Sequence, residues 1–129
     1  MMTTKLRLSL CDDDRTFRTL VRAVIEAQDD MQVVSESCDG ADCVEEVAQI
    51  RPDVVLLDLD MPTMTGFEAL ERLAVDCPET KVIVLSGEAR EQVEAVVRGL
   101  GAVAFIDKGT AQLVGSLPGR VRSALATTA

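Results

Sequence analysis

PDVVLLDLDMPTMTGFEAL, Pro52 to Leu70, is the stretch that decides the architecture of this chain. Val54 to Leu57 form a short, wholly apolar run that opens behind a proline and stops at an acid, as expected for a strand buried in a parallel sheet. An acid directly after VVLL has apolar neighbours and demands a partner, so Asp58 stands out before any fold is assumed. From Gly66 to Val75, Phe67, Leu70 and Leu73 recur at helical spacing, and Pro78 marks the end of that segment. The repeating unit is strand, polar loop, helix.

The unit recurs in both directions. Upstream, the pattern predicts a strand over Leu6 to Leu10 and a helix over Arg15 to Ala27, with Phe17, Leu20, Val21, Val24 and Ile25 on one stripe. A second strand follows over Met31 to Ser37, then a helix over Ala41 to Ile50 in which Val44, Val47 and Ala48 share a face. Downstream come a strand over Lys81 to Leu85, a helix over Glu88 to Gly99 with Val93, Val96 and Val97 inward, and a strand over Ala102 to Ile106. Leu113, Leu117, Val121 and Leu125 then keep helical spacing, but Pro118 and Gly119 interrupt them. An interior proline costs about 3 kcal/mol, so a break is expected there, with Ser116 or Leu117 capping the second piece. Five βα units predict an α/β, flavodoxin-like (βα)5 doubly wound parallel sheet with strand order 2-1-3-4-5. One domain is expected over 1–129, with its core from about 6 to 125.

Composition narrows the function. The net charge of −9 disfavours direct nucleic-acid binding, and three phenylalanines with no Trp or Tyr cannot build a base-stacking platform. No apolar run reaches the roughly 20 residues of a membrane helix, and Met1 to Leu10 lacks the apolar core and cleavage site of a signal peptide. A cytoplasmic protein is the default expectation. The absence of histidine removes His-based nucleophile schemes and His-containing metal sites. Cys11, Cys38, Cys43 and Cys77 form no C-x-x-C pair, so they are expected as small buried hydrophobes rather than zinc ligands.

In a doubly wound sheet, ligands bind beyond the carboxyl ends of the strands. Those ends carry Asp12-Asp13-Asp14 on strand one, Asp58 and Asp60 on strand three, Ser86-Gly87 on strand four and Asp107-Lys108 on strand five. Carboxylates from two neighbouring strands would converge on one patch and need a compensating cation. Oxygen-only ligands select a hard ion, and an open site with room for phosphate suits Mg²⁺. Each residue has an ordinary alternative role, Asp12 or Asp14 as a helix cap and Phe105 as core, for example. Their gathering on one sheet edge favours the functional reading.

LSLCDDDRTFR (8–18), PDVVLLDLDMPTMTGFEAL (52–70), KVIVLSGEA (81–89) and GAVAFIDKG (101–109) resemble, in order and spacing, the signature stretches of response-regulator receiver (CheY-like) domains. The similarity runs from about Leu6 to Leu125. It implies Asp58 as phosphoacceptor, Asp12 and Asp13 as the acidic pair, Ser86 as switch hydroxyl, Phe105 as switch aromatic and Lys108 as the phosphoryl-binding lysine. Mg²⁺ is expected on Asp13, Asp58 and the backbone carbonyl of Asp60, with Asp12 acting through water. Asp60 and Glu88 occupy positions that tune phosphate lifetime. The resemblance further implies a sensor histidine kinase or phosphotransfer protein as donor and no separate enzyme activity beyond the chain's own phosphorylation and dephosphorylation. Output would pass to a downstream protein or a C-terminal output domain, since none fits after Leu125, and a homodimer could form through the face of the fourth helix, fifth strand and fifth helix.

Departures accompany the likeness. Gly109 replaces the family's proline, often cis, so Lys108-Gly109 is expected trans with a reshaped loop. Phe105 also lacks the hydroxyl of a tyrosine. A receiver-like module used only for protein binding is the first alternative. A haloacid-dehalogenase-like phosphatase is the second, since LLDLDMP resembles its D-x-D motif, but there the motif opens the chain and the acidic pair comes last, the reverse of this order.

Overall fold

A computed structural model describes residues 4–87 and 91–126. The elements alternate as β1 (Leu6–Cys11), α1 (Arg15–Glu26), β2 (Met31–Ser37), α2 (Gly40–Ile50), β3 (Val54–Asp58), α3 (Gly66–Asp76), β4 (Lys81–Ser86), α4 (Glu91–Gly99), β5 (Ala104–Asp107) and α5 (Leu113–Ala126). All four strand pairs are parallel, in the order β2-β1-β3-β4-β5. This is the doubly wound, flavodoxin-like sheet that the apolar runs predict.

Strand periodicity divides the core into two layers. Side chains of consecutive strand residues point to opposite faces. Accordingly Val55, Leu57, Val82 and Val84 pack beneath α2, α3 and α4, with Val47, Leu73 and Val97 as helical partners. Leu8, Leu10, Val54, Leu56, Ile83, Leu85 and Ile106 face α1 and α5, meeting Val21, Ile25, Leu117 and Val121. Every β3 residue is buried, which explains why that run shows no polar alternation. In β3, Leu57 pairs with Cys11 of β1 and with Val84 of β4, so the strands end nearly level and their terminal acids meet.

Four features differ from the sequence-based expectations. The cysteines are not all thiols: Cys11 and Cys43 form a disulfide between the end of β1 and the first turns of α2, with Cα atoms 5.9 Å apart. Both face the same core layer, whereas Cys38 is exposed and Cys77 buried, both as thiols. Second, α5 is one helix, with Pro118 buried inside it. Pro118 is its sixth residue, so the missing N–H forfeits one early intrahelical bond, to Val114. Burial of Leu117, Val121 and Ala124 against the sheet outweighs that cost. Ser116 caps no second piece; its hydroxyl donates to the Leu113 carbonyl at 2.7 Å.

The third and fourth differences concern helix faces. Val96 is 50 % exposed and Leu20 52 % exposed, because the buried seams are Val93–Val97 on α4 and Phe17–Val21–Ile25 on α1. Residues four apart share a face, and each neighbour sits about 100° around the helix. The fourth helix is described from Glu91, so the predicted start at Glu88 lies outside the described residues.

Candidate functional site

The carboxyl edge of the sheet is built first by β1. Asp12, immediately beyond it, is 4 % exposed and held from three sides. Its N–H donates to the Ser37 carbonyl at 3.0 Å, its Oδ1 accepts from the Asp14 N–H at 2.9 Å, and its carbonyl accepts from Arg18 Nη1 at 2.6 Å. Asp14 is the cap of α1, accepting from the Phe17 N–H, so the capping role falls to Asp14 and leaves Asp12 directed into the site. Asp13, between them, is exposed.

Asp58 is the last residue of β3 and only 5 % exposed. Its Oδ1 accepts from the Asp60 N–H at 3.3 Å. The loop behind it is tight: Thr63 has φ 71 and the Met64 N–H reaches back to the Pro62 carbonyl at 2.8 Å. Gly66 then starts α3, and its N–H bonds the Leu59 carbonyl at 2.9 Å. A Cβ on Gly66 would stand 2.4 Å from the Asp58 carbonyl oxygen and 2.4 Å from the Leu59 Cα, so only glycine lets the helix start this close to the acceptor strand. Thr65 and Glu68 close a capping box over that start.

Lys108 enters from the other side. Its Nζ lies 2.5 Å from Asp12 Oδ2 and 3.5 Å from Asp58 Oδ1. The ammonium also sits 4.4 Å from the centroid of the Phe17 ring. Its backbone N–H donates to the Ser86 carbonyl at 2.9 Å, which ties β5 to the end of β4. The expected trans Lys108–Gly109 bond is present, since the described residues contain no cis peptide. Ser86 is buried at the same edge, opposite Asp107 in the strand pairing. Phe105 is half-buried and packs on the layer beneath α2, α3 and α4. Asp60 is exposed, and Glu88 lies outside the described residues.

The electrostatics follow from this crowding. Burial, then the negative charge of Asp12, push the Asp58 carboxyl up to about 6, against the opposing pull of Lys108 and the Asp60 amide. Burial works against the charge of Lys108, but the hydrogen bond and charge of Asp12, and then Asp58, outweigh it and raise its pKa. One carboxylate oxygen from each of Asp12, Asp13 and Asp58 lies within 4.8 Å of the others. Two of these acids are buried, and one is held above its ordinary ionisation range. A small divalent cation relieves both conditions, and an all-oxygen donor set fits a hard ion such as Mg²⁺. An open cleft of about 940 Å³ lies at the opposite edge of the sheet, near Lys5, Pro52, Thr80 and Arg122, and contributes nothing to this cluster.

Asp12, Asp13, Asp58 and Lys108 are thus brought together, with Ser86 beside them on the adjoining strand end. Sequence reasoning gives no site role to three neighbours. Helical spacing places Phe17 only on the apolar stripe of α1, yet its ring lies against the lysine. Arg18 bonds both the Asp12 carbonyl and Glu36, and Arg22 reaches Glu36 at 2.6 Å. Burial works against ionisation of Glu36, but these two arginines overcome it and hold its carboxyl below the usual range. The spacing of Arg18 and Arg22, one helical turn apart, was the only available signal. Asp107 is the third: the sequence places it at the end of strand five but does not reveal that its carboxylate takes the Gly109 N–H.

Comparison with known proteins agrees with the geometry. The family model for the response regulator receiver domain matches residues 8–114. A protein-glutamate methylesterase/protein-glutamine glutaminase of Thermotoga maritima is 35% identical over 105 residues, covering 80% of this chain and 30% of that protein. The uncharacterized transcriptional regulatory protein YxjL of Bacillus subtilis is 38% identical over 107 residues, covering 82% of this chain and 49% of that protein. The chain therefore spans less than half the length of these relatives. Among solved structures, the response regulator domain of Thermotoga maritima CheB superposes with a TM-score of 0.86 at 30% identity, covering 95% of this chain and 97% of that one.

Proposed function

Because this chain belongs to the response regulator receiver domain family, we propose that it accepts a phosphoryl group on Asp58 and relays that event as a change in partner binding. The observation that carries the reading is the meeting of Asp12, Asp13 and Asp58 with the Lys108 ammonium at one sheet edge. That the lysine reaches both acids despite Gly109 speaks against a module that has kept the fold and lost the chemistry.

In this reading, an Asp58 oxygen forms a bond to phosphorus while the donor's bond breaks. That bond is P–N in a phosphohistidine of a sensor histidine kinase or phosphotransfer protein, and P–O in a small acyl phosphate. The electron pair leaves with the donor, and Asp58 becomes a mixed anhydride. Asp13, Asp58 and the Asp60 carbonyl would hold Mg²⁺, with Asp12 acting through water; when bound, the ion supplies charge neutralisation at the phosphoryl oxygens. Lys108 meets a second oxygen as a point charge and the Ser86 hydroxyl donates to a third. Pulling Ser86 inward lets Phe105 repack, which alters the α4–β5–α5 surface. That surface would contact the downstream protein, a C-terminal output domain or a second copy.

We take 1–129 as one receiver domain with its core from about 6 to 125. Its described helices are none of them long and apolar enough to cross a membrane. We place the chain in the cytoplasm. The test is incubation with Mg²⁺ and a small acyl phosphate donor, read by intact mass. One phosphoryl adduct that is absent from Asp58→Ala supports the proposal; an adduct mapped elsewhere, or none, overturns it.

A further inference from the structure

Lys108 carries a four-carbon stem, and a lysine side chain holds about 2 kcal/mol of rotamer entropy when unrestrained. Its tip lies against both Asp12 and Asp58, and a fixed backbone lowers the entropic cost of holding it there. Two bonds do this. On the amino side the Lys108 N–H is taken by the Ser86 carbonyl at 2.9 Å. On the carboxyl side Asp107 Oδ1 accepts from the Gly109 N–H at 2.7 Å, and the Asp107 carbonyl accepts from the Thr110 N–H at 3.2 Å. Asp107 to Thr110 is thus a backbone turn with a side-chain turn, Asp107 to Gly109, nested within it, and Lys108 is the second residue of both.

We infer that Asp107 is the positioning residue for Lys108, its carboxylate closing the turn that aims the ammonium at the acid cluster. Three observations carry this. Asp107 faces Ser86 in the strand pairing, so the turn starts from an anchored residue. Gly109 is exposed and has an N–H to give, which a proline there would lack. A Cβ on Gly109 would lie 3.1 Å from Asp107 Oδ1, so the side chain is drawn in close beneath the glycine. The sequence departs from the receiver pattern at Gly109, and the structure supplies a constraint at that position by other means. The catalytic consequence of the inference rests on the proposed phosphoacceptor function, whereas the positional consequence does not.

The test separates the two. Lys108 Nζ lies against the Phe17 ring, so the ε-methylene protons of Lys108 carry a ring-current shift that reports where the side chain is. In Asp107→Ala that shift should collapse toward the value of a mobile lysine, while Asp107→Asn, which keeps the acceptor oxygen, should retain it. Amide spectra of β1–β3 residues check that the fold is intact. With Mg²⁺ and a saturating small acyl phosphate, Asp107→Ala should lower the maximal phosphorylation rate roughly tenfold to a hundredfold, the scale of a misplaced group, and Asp107→Asn should restore it. An unchanged ring-current shift in Asp107→Ala, in a folded protein, overturns the inference. A collapsed shift with no phosphorylation even of the unaltered chain upholds the positioning role and overturns the phosphoacceptor reading instead.

Discussion

Asp58→Asn should make the metal-free protein more stable at neutral pH. Asp58 is 5 % exposed, and its carboxyl is pushed from 3.8 to about 6, first by burial and then by Asp12. The native state therefore binds this proton more tightly than the unfolded chain does. Ionised Asp58 destabilises the fold at every pH above about 6, and the penalty fades as pH falls from 6 toward 3.8. The full shift corresponds to about 3 kcal/mol, and an isosteric amide with its own hydrogen-bonding needs should recover about 2 kcal/mol of it. With no Trp or Tyr, unfolding is followed by circular dichroism in urea. For a urea slope of about 2 kcal/mol per molar, the midpoint should rise by about 1 M at pH 7.5 in chelator. At pH 4 the two proteins should nearly coincide. Adding Mg²⁺ should stabilise the unaltered protein and leave Asp58→Asn much less affected. A variant no more stable at pH 7.5, or equally more stable at pH 4, would refute the electrostatic argument.

Mg²⁺ affinity should weaken as pH drops through about 6, because protons compete for Asp58; calorimetric titration that found the same affinity at pH 7.5 and pH 5 would contradict this. Reducing the Cys11–Cys43 bond reopens a loop of 32 residues in the unfolded chain and should lower stability by about 3–4 kcal/mol. Thiol titration in denaturant should then count four groups with reductant and two without, and four in both would show that the bond does not form. Gly66→Ala drives a Cβ into the Asp58 carbonyl and should cost about 3 kcal/mol or more, measurable as a lowered urea midpoint, whereas Gly87→Ala, which meets nothing within 4 Å, should cost far less. Ser86→Ala should leave the phosphoryl adduct visible by mass while weakening the spectral change it induces at β5 and α5; equal loss of both would remove Ser86 from the relay.

The inner strands β3 and β4 were legible because burial on both faces leaves the runs VVLL and VIVL with no polar alternation, whereas β1 was legible from the alternation of LRLSL. The acids were legible for a related reason. Asp12 and Asp58 each follow apolar residues directly, and strand order 2-1-3-4-5 makes their strands neighbours, while Lys108, one residue past Asp107, comes from β5 on the far side of β4. Local chemistry and topology together determine which residues share an edge.

Distances across that edge belong to the tertiary structure. Cys11 and Cys43 are 32 positions apart, and nothing in that spacing reveals that β1 and α2 turn them toward each other. The ring of Phe17 beneath Lys108 and the grip of Asp107 on Gly109 depend on side-chain direction at the ångström scale. Pro118 shows the same division in energy: local propensity argues for a break, and the burial of Leu117 and Val121 overrules it. Periodicity and residue type act along the chain and can be read there. Contacts between elements are set by how whole faces pack, and no single segment encodes them.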